Sequence, residues 1–141
     1  MDGSPNRNGG AFGVGAVLVA DDEEIVRNVM VQMLKRMGYE VFAVDNGADA
    51  ITTFRDNQSR IGLVIFDLTM PCMSGVELFE QIRDIDPDIK TMLTSGQDVS
   101  PDIDHLRAAG VSAFIHKPFT LRDMREKIRS LLDSQLESAG T

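Results

Sequence analysis

Polar residues of three kinds recur at one kind of place. Asp21 and Asp22 follow the apolar run Ala16 to Ala20, and Asp67 ends the run Leu63 to Phe66. Thr94 and Ser95 follow Lys90 to Leu93, and Lys117, ahead of Pro118, follows Ala113 to His116. If those runs are parallel strands, three carboxylates, two hydroxyls and one ammonium meet outside their carboxyl ends, where open α/β sheets bind ligands. Crowded carboxylates repel one another and titrate high unless a cation offsets them. Oxygen donors without His or Cys suit Mg²⁺, which keeps several waters and takes one or two carboxylates from a protein. Lys117 cannot ligate a metal while protonated, but it can hold an anion. An acceptor carboxylate, a charge-spreading metal, an ammonium and a hydroxyl donor are the parts that phosphoryl transfer uses.

The elements that must position these residues are legible from periodicity. Short apolar runs alternate with segments of helical period, the pattern of repeated βα units on a parallel sheet. After Ala16 to Ala20 comes a helix with the stripe Val26, Val29, Met30, Met33, Leu34 and Met37, stopped by Gly38. A second strand near Glu40 to Val44 leads to Asn46-Gly47 and a helix burying Ala50, Ile51 and Phe54. The third strand, Leu63 to Phe66, precedes a helix opened by the capping box Ser74/Glu77, with Val76, Phe79, Ile82 and Ile85 inward. The fourth, Lys90 to Leu93, precedes a helix with Ser100 at its N-cap, Pro101 at its first position and Gly110 at its end. The fifth, Ala113 to His116, is followed by Thr120 and the stripe Leu121, Met124, Ile128, Leu131 and Leu132. The fold class is therefore α/β, five βα units in one domain over residues 16–133, with a flexible glycine-rich tail over 1–15 and a flexible polar tail over 134–141.

With 141 residues, 43% hydrophobic, the chain can bury one sizeable core. Its net charge of −8 repels polyanions, and no cluster of basic side chains offsets this, so direct nucleic-acid binding is not expected. Ala11 to Ala20 imitates a signal peptide, but its upstream charges cancel and it runs into Asp21-Asp22-Glu23-Glu24, so it reads as a buried strand. No run approaches the ~20 apolar residues of a membrane span. The single cysteine, Cys72, suits a reducing compartment, and a cytoplasmic location is expected.

The segments VLVADDE, VIFDLTMPCMSG, MLTSG and IHKPFT resemble the response-regulator receiver family of two-component signalling, in the family's order and over Ala16 to about Leu132. The resemblance implies a doubly wound, flavodoxin-like sheet of order 2-1-3-4-5. It implies that Asp67 is the phosphoacceptor, Asp22 a direct Mg²⁺ ligand, Asp21 a ligand through water, and Thr69 a ligand through its backbone carbonyl. It makes Lys117 the phosphoryl contact, with the Lys117-Pro118 bond cis. Ser95 is a better match than Thr94 for the switch hydroxyl, because a small residue, Gly96, follows it. Phe114 matches the aromatic switch position, Thr69 and Gln97 the positions that influence phosphoryl lifetime. The readout face would lie on the fourth helix, fifth strand and fifth helix, at Ile103, Leu106, Arg107, Arg122 and Arg125. The implied partners are a histidine kinase or histidine phosphotransfer protein and a downstream protein target.

Taken singly these signals are weak. Asp21 to Glu24 alone is an acidic first turn of a helix, Lys117-Pro118-Phe119 alone a turn, Phe114 plain core, Cys72 a spectator, and His105 and His116 structural. An alternative is an Mg²⁺-dependent phosphatase of haloacid-dehalogenase type, but that pattern wants a second Asp where Thr69 stands. A receiver-like domain that works without phosphorylation is the third reading, and it usually lacks the acids or the lysine retained here. A signalling switch rather than an enzyme is the expectation, either free-standing or cut from a hybrid kinase.

Overall fold

The computed structural model describes residues 15–96 and 100–140, without the side chains of 132–140. Its elements are β1 (Ala16–Ala20), α1 (Glu24–Arg36), β2 (Glu40–Val44), α2 (Gly47–Asp56), β3 (Ile61–Asp67), α3 (Gly75–Ile85), β4 (Lys90–Ser95), α4 (Pro101–Ala109), β5 (Ala113–His116) and α5 (Leu121–Gly140). All pairings are parallel, and the strand order is β2-β1-β3-β4-β5, as expected for a flavodoxin-like sheet.

Strand alternation divides the core in two. Ala16, Leu18, Ala20, Val64 and Phe66 pack with residues of α2, α3 and α4 on one face. Val17, Val19, Leu63 and Ile65 pack with Met30 and Leu34 of α1 and Met124, Ile128 and Leu131 of α5 on the other. The runs of β1 and β3 are apolar throughout because both their faces are covered. The edge strand β2 is only partly buried.

The expected stop and start signals work as side-chain and backbone chemistry. Asn46 accepts from the Asp49 amide, Ser100 accepts from Ile103, and Ser74 with Glu77 forms the reciprocal box. Gly110 takes φ 105° at the end of α4, where a side chain would be strained.

Several details differ from the expected pattern. In α1 only Met30 and Leu34 are buried, while Ile25 and Val29 are 79% and 44% exposed, because the helix meets the sheet over a narrower arc than its apolar stripe. Leu78, absent from the expected stripe, is fully buried in α3. Ile103 and Leu106 lie in the core at 3% and 0% exposure, so of the expected readout positions only Arg107, Arg122 and Arg125 face outward. Helix α5 continues past residue 133 to Gly140, since Gln135, Leu136 and Glu137 are good helix formers. Of the expected tail over 1–15, residues 1–14 lie outside the described residues, as does Gln97, while Gly15 is buried. Among the described residues no helix is long and apolar enough to cross a membrane.

Candidate functional site

The strand ladders continue for a residue beyond the strands, and this fixes the backbone of the site. The Asp21 amide donates to the Val44 carbonyl at 3.1 Å, that of Leu68 to Thr94 at 3.0 Å, and that of Lys117 to Ser95 at 2.7 Å. Asp67 sits opposite Thr94 in the β3/β4 register, and Ser95 opposite His116 in β4/β5. Two glycines let the surrounding loops approach. A Cβ on Gly75 would lie 2.9 Å from the Leu68 carbonyl oxygen and 3.0 Å from that of Asp67; one on Gly47 would lie 2.5 Å from Sδ of Met73.

Asp21, Asp22 and Asp67 each present a carboxylate oxygen within 4.8 Å of the other two. Asp21 is fully buried, Asp67 is 5% exposed, and Asp22 is exposed. Lys117 reaches them from β5: its Nζ lies 3.0 Å from Oδ1 of Asp67 and 3.1 Å from Oδ2 of Asp21. The same ammonium lies 2.9 Å from Oε1 of Glu23. Sequence reasoning missed Glu23 as part of this group, having read it as helix-start charge; its place directly after Asp21-Asp22 was the available signal. Arg27 also turns inward, donating from Nη1 to the Asp21 carbonyl at 2.9 Å.

Burial raises the Asp67 carboxyl above the ordinary carboxylate range; Lys117 pulls it down by hydrogen bond and charge, while Asp21 and Asp22 add to the rise. Burial disfavours the Lys117 ammonium, yet its bonds to Glu23, Asp67 and Asp21 outweigh that and hold it above the ordinary lysine range. The donor set fits a hard divalent cation. It is oxygen only, one member is open to water, and the buried Oδ2 of Asp21 has its ion pair with Lys117 but no aligned hydrogen bond among the described residues.

The remaining expected residues lie on β4, on β5 and on the loop after β3. Thr94 is buried beside Asp67, but its hydroxyl is directed at the Phe66 carbonyl, 3.4 Å away. Ser95, at 6% exposure, is the next residue toward the carboxyl end of β4. Thr69 lies on the exposed loop after β3, where Cys72 takes φ 70° and is exposed and free. Phe114 is half-buried on β5, opposite Leu93 in the register. The Lys117-Pro118 bond is cis. Neither histidine is core: His116 is exposed, and exposed His105 meets Glu80 at 3.4 Å.

The sequence matches the family described as response regulator receiver domain over residues 17–129. It is 36% identical over 119 residues to the response regulator receiver protein CpdR of Brucella abortus, covering 82% of this chain and 95% of that protein. It is 30% identical over 123 residues to the sensor kinase CckA of the same organism, covering 87% of this chain but only 13% of the kinase. Among solved structures, the response regulator TrrA of Thermotoga maritima in complex with Mg²⁺-BeF superposes with a TM-score of 0.71 at 29% identity, covering 83% of this chain and 98% of that one. A match that starts in β1 and ends within α5 takes in every strand that carries a site residue, and the chain belongs to the response-regulator receiver family.

Proposed function

We propose that the chain is a two-component phospho-switch that takes a phosphoryl group onto Asp67 from a partner phosphohistidine. The observation that carries this reading is Lys117: one ammonium within 3.1 Å of both Asp67 and Asp21, at the edge of a three-carboxylate cluster. A carboxylate oxygen of Asp67 forms the new bond to phosphorus, the phosphorus–nitrogen bond breaks, and its electron pair stays with the donor imidazole. Lys117 then holds phosphoryl oxygens in place of part of its present carboxylate company. Asp22 and Asp67 would hold Mg²⁺ directly, Asp21 would act through water, and the Thr69 carbonyl would complete the set. When bound, the ion supplies positive charge against the phosphoryl oxygens.

Ser95 is the switch hydroxyl in this reading, favoured over Thr94 because a small residue, Gly96, follows it. Its movement toward the phosphoryl group, coupled to Phe114, shifts the α4-β5-α5 face that a downstream protein reads. The working unit is residues 16–133, in the cytoplasm, with a histidine kinase or phosphotransfer protein as donor and no direct contact with nucleic acid or membrane.

Incubation with acetyl phosphate and Mg²⁺, followed by intact-mass measurement, tests the reading. One phosphoryl group should appear on the unaltered protein and none on Asp67→Asn. Sustained turnover of para-nitrophenyl phosphate would instead favour the haloacid-dehalogenase alternative.

A further inference from the structure

Glu23 occupies the N-cap position of α1 yet makes no side-chain bond to its own helix. That is unusual employment, since a residue there ordinarily turns its side chain onto the free amides of the first turn. Its carboxylate instead extends to Lys117, 94 positions along the chain, and hydrogen-bonds Nζ at 2.9 Å. We infer that Glu23 is a gating residue for the phosphoryl site, competing with the incoming anion for the Lys117 ammonium and so slowing the loading of Asp67. The inference rests on the acceptor reading of Asp67.

The geometry gives the competition a direction. Lys117 has three carboxylate partners, and two of them, Asp21 and Asp67, are buried at the ends of β1 and β3. They keep the ammonium in place when the third is removed, so loss of Glu23 frees a side of Nζ without setting Lys117 adrift. Glu23 is also the partner that solvent reaches, its side chain 59% exposed, and an anionic donor approaching from water meets that charge. Exposure limits the size of the effect: a pair open to water is worth little, which translates to about two- to fivefold in a rate or affinity.

The test compares the unaltered protein with Glu23→Gln, Glu23→Asp and the charge control Glu24→Gln, all at saturating Mg²⁺. Two quantities are read: the rate of phosphoryl loading from phosphoramidate, and the affinity for beryllofluoride, a non-covalent phosphoryl mimic, by titration calorimetry. Glu23→Gln should load about two- to fivefold faster and bind beryllofluoride tighter by a similar factor. Glu23→Asp, too short to span the contact fully, should fall between, and Glu24→Gln should stay close to the unaltered protein. The Mg²⁺ affinity of Glu23→Gln, measured without beryllofluoride, should change less than the beryllofluoride affinity does. Equal or slower loading by Glu23→Gln, or an equal gain in Glu24→Gln, would overturn the gate while leaving Asp67 as acceptor. Failure of the unaltered protein to load at all would bring down the acceptor reading and the gate with it.

Discussion

Arg107 of α4 lays its guanidinium over the ring of Phe114 on β5, 4.3 Å from the ring centroid. The contact ties the helix to the strand at the residue read as the aromatic switch. Cation–π pairs at exposed positions contribute about 0.5–1 kcal/mol. Arg107→Ala should therefore lower stability by about that much in urea unfolding. Arg107→Leu, which keeps apolar cover but no charge, should recover only part of the loss.

Asp67 carries a pH signature whose sign is set by its environment. Its carboxyl is raised in the folded state, so the folded protein holds that proton more tightly than the unfolded chain does. The associated stability is fully present below the ordinary carboxylate range and is lost as pH rises through the folded value. At neutral pH the charged Asp67 is thus a net burden, and Asp67→Asn should be more stable by on the order of 1 kcal/mol. The advantage should vanish in acid and shrink when Mg²⁺ is added. Urea unfolding at several pH values, with and without the ion, measures both.

Tyr39 is 4% exposed in the α1/α5 core, and its hydroxyl has no hydrogen-bond partner among the described residues. Burial pushes its titration up to about 12, against a weaker downward pull from Arg129. Stability tied to the protonated phenol is complete below the ordinary tyrosine range near ~10 and falls as pH climbs toward the folded value. Tyr39→Phe should raise stability by about 1 kcal/mol at neutral pH, by removing an unsatisfied polar group. It should also flatten the alkaline limb of the stability curve, which unfolding between pH 9 and 11 would reveal as a wider gap between variant and parent.

Gly75 tests how closely α3 must approach the end of β3. The atoms a new Cβ would meet are backbone, the carbonyls of Leu68 and Asp67, which cannot swing aside as a side chain can. Gly75→Ala should destabilise by about 1–3 kcal/mol. It should also weaken Mg²⁺ binding, because the displaced backbone carries Asp67. Calorimetric titration with Mg²⁺ on folded variant protein separates the two effects.

Strands were the easiest part to read, because a strand covered on both faces must be apolar at every position, as in β1 and the middle of β3. Their carboxyl ends were underestimated. Asp67, Thr94 and Ser95 belong to the ladders, and ladder bonds are made by the backbone whatever the side chain. Periodicity located the helices but misjudged their arcs: Val29 fits the α1 stripe and is exposed, while Leu78 falls outside the α3 stripe and is buried. Of the site, the acids and Lys117 were legible because each ends or closely follows a strand. Glu23 was not, since acids at a helix start are ordinary and its partner comes from the far end of the chain. The inward turn of Arg27 left no trace in periodicity either.

The clasp between Lys117 and its acidic neighbours also bears on the order in which the site fills. Asp21, Asp22, Glu23 and Asp67 outnumber the one ammonium among them, so the vestibule as built presents surplus negative charge to anything arriving. On the proposed function, a phosphorylated donor would meet repulsion there until a cation had come first. Phosphoryl mimics and donors should accordingly behave as second guests, their occupancy following the concentration of free divalent ion even when they are themselves in large excess.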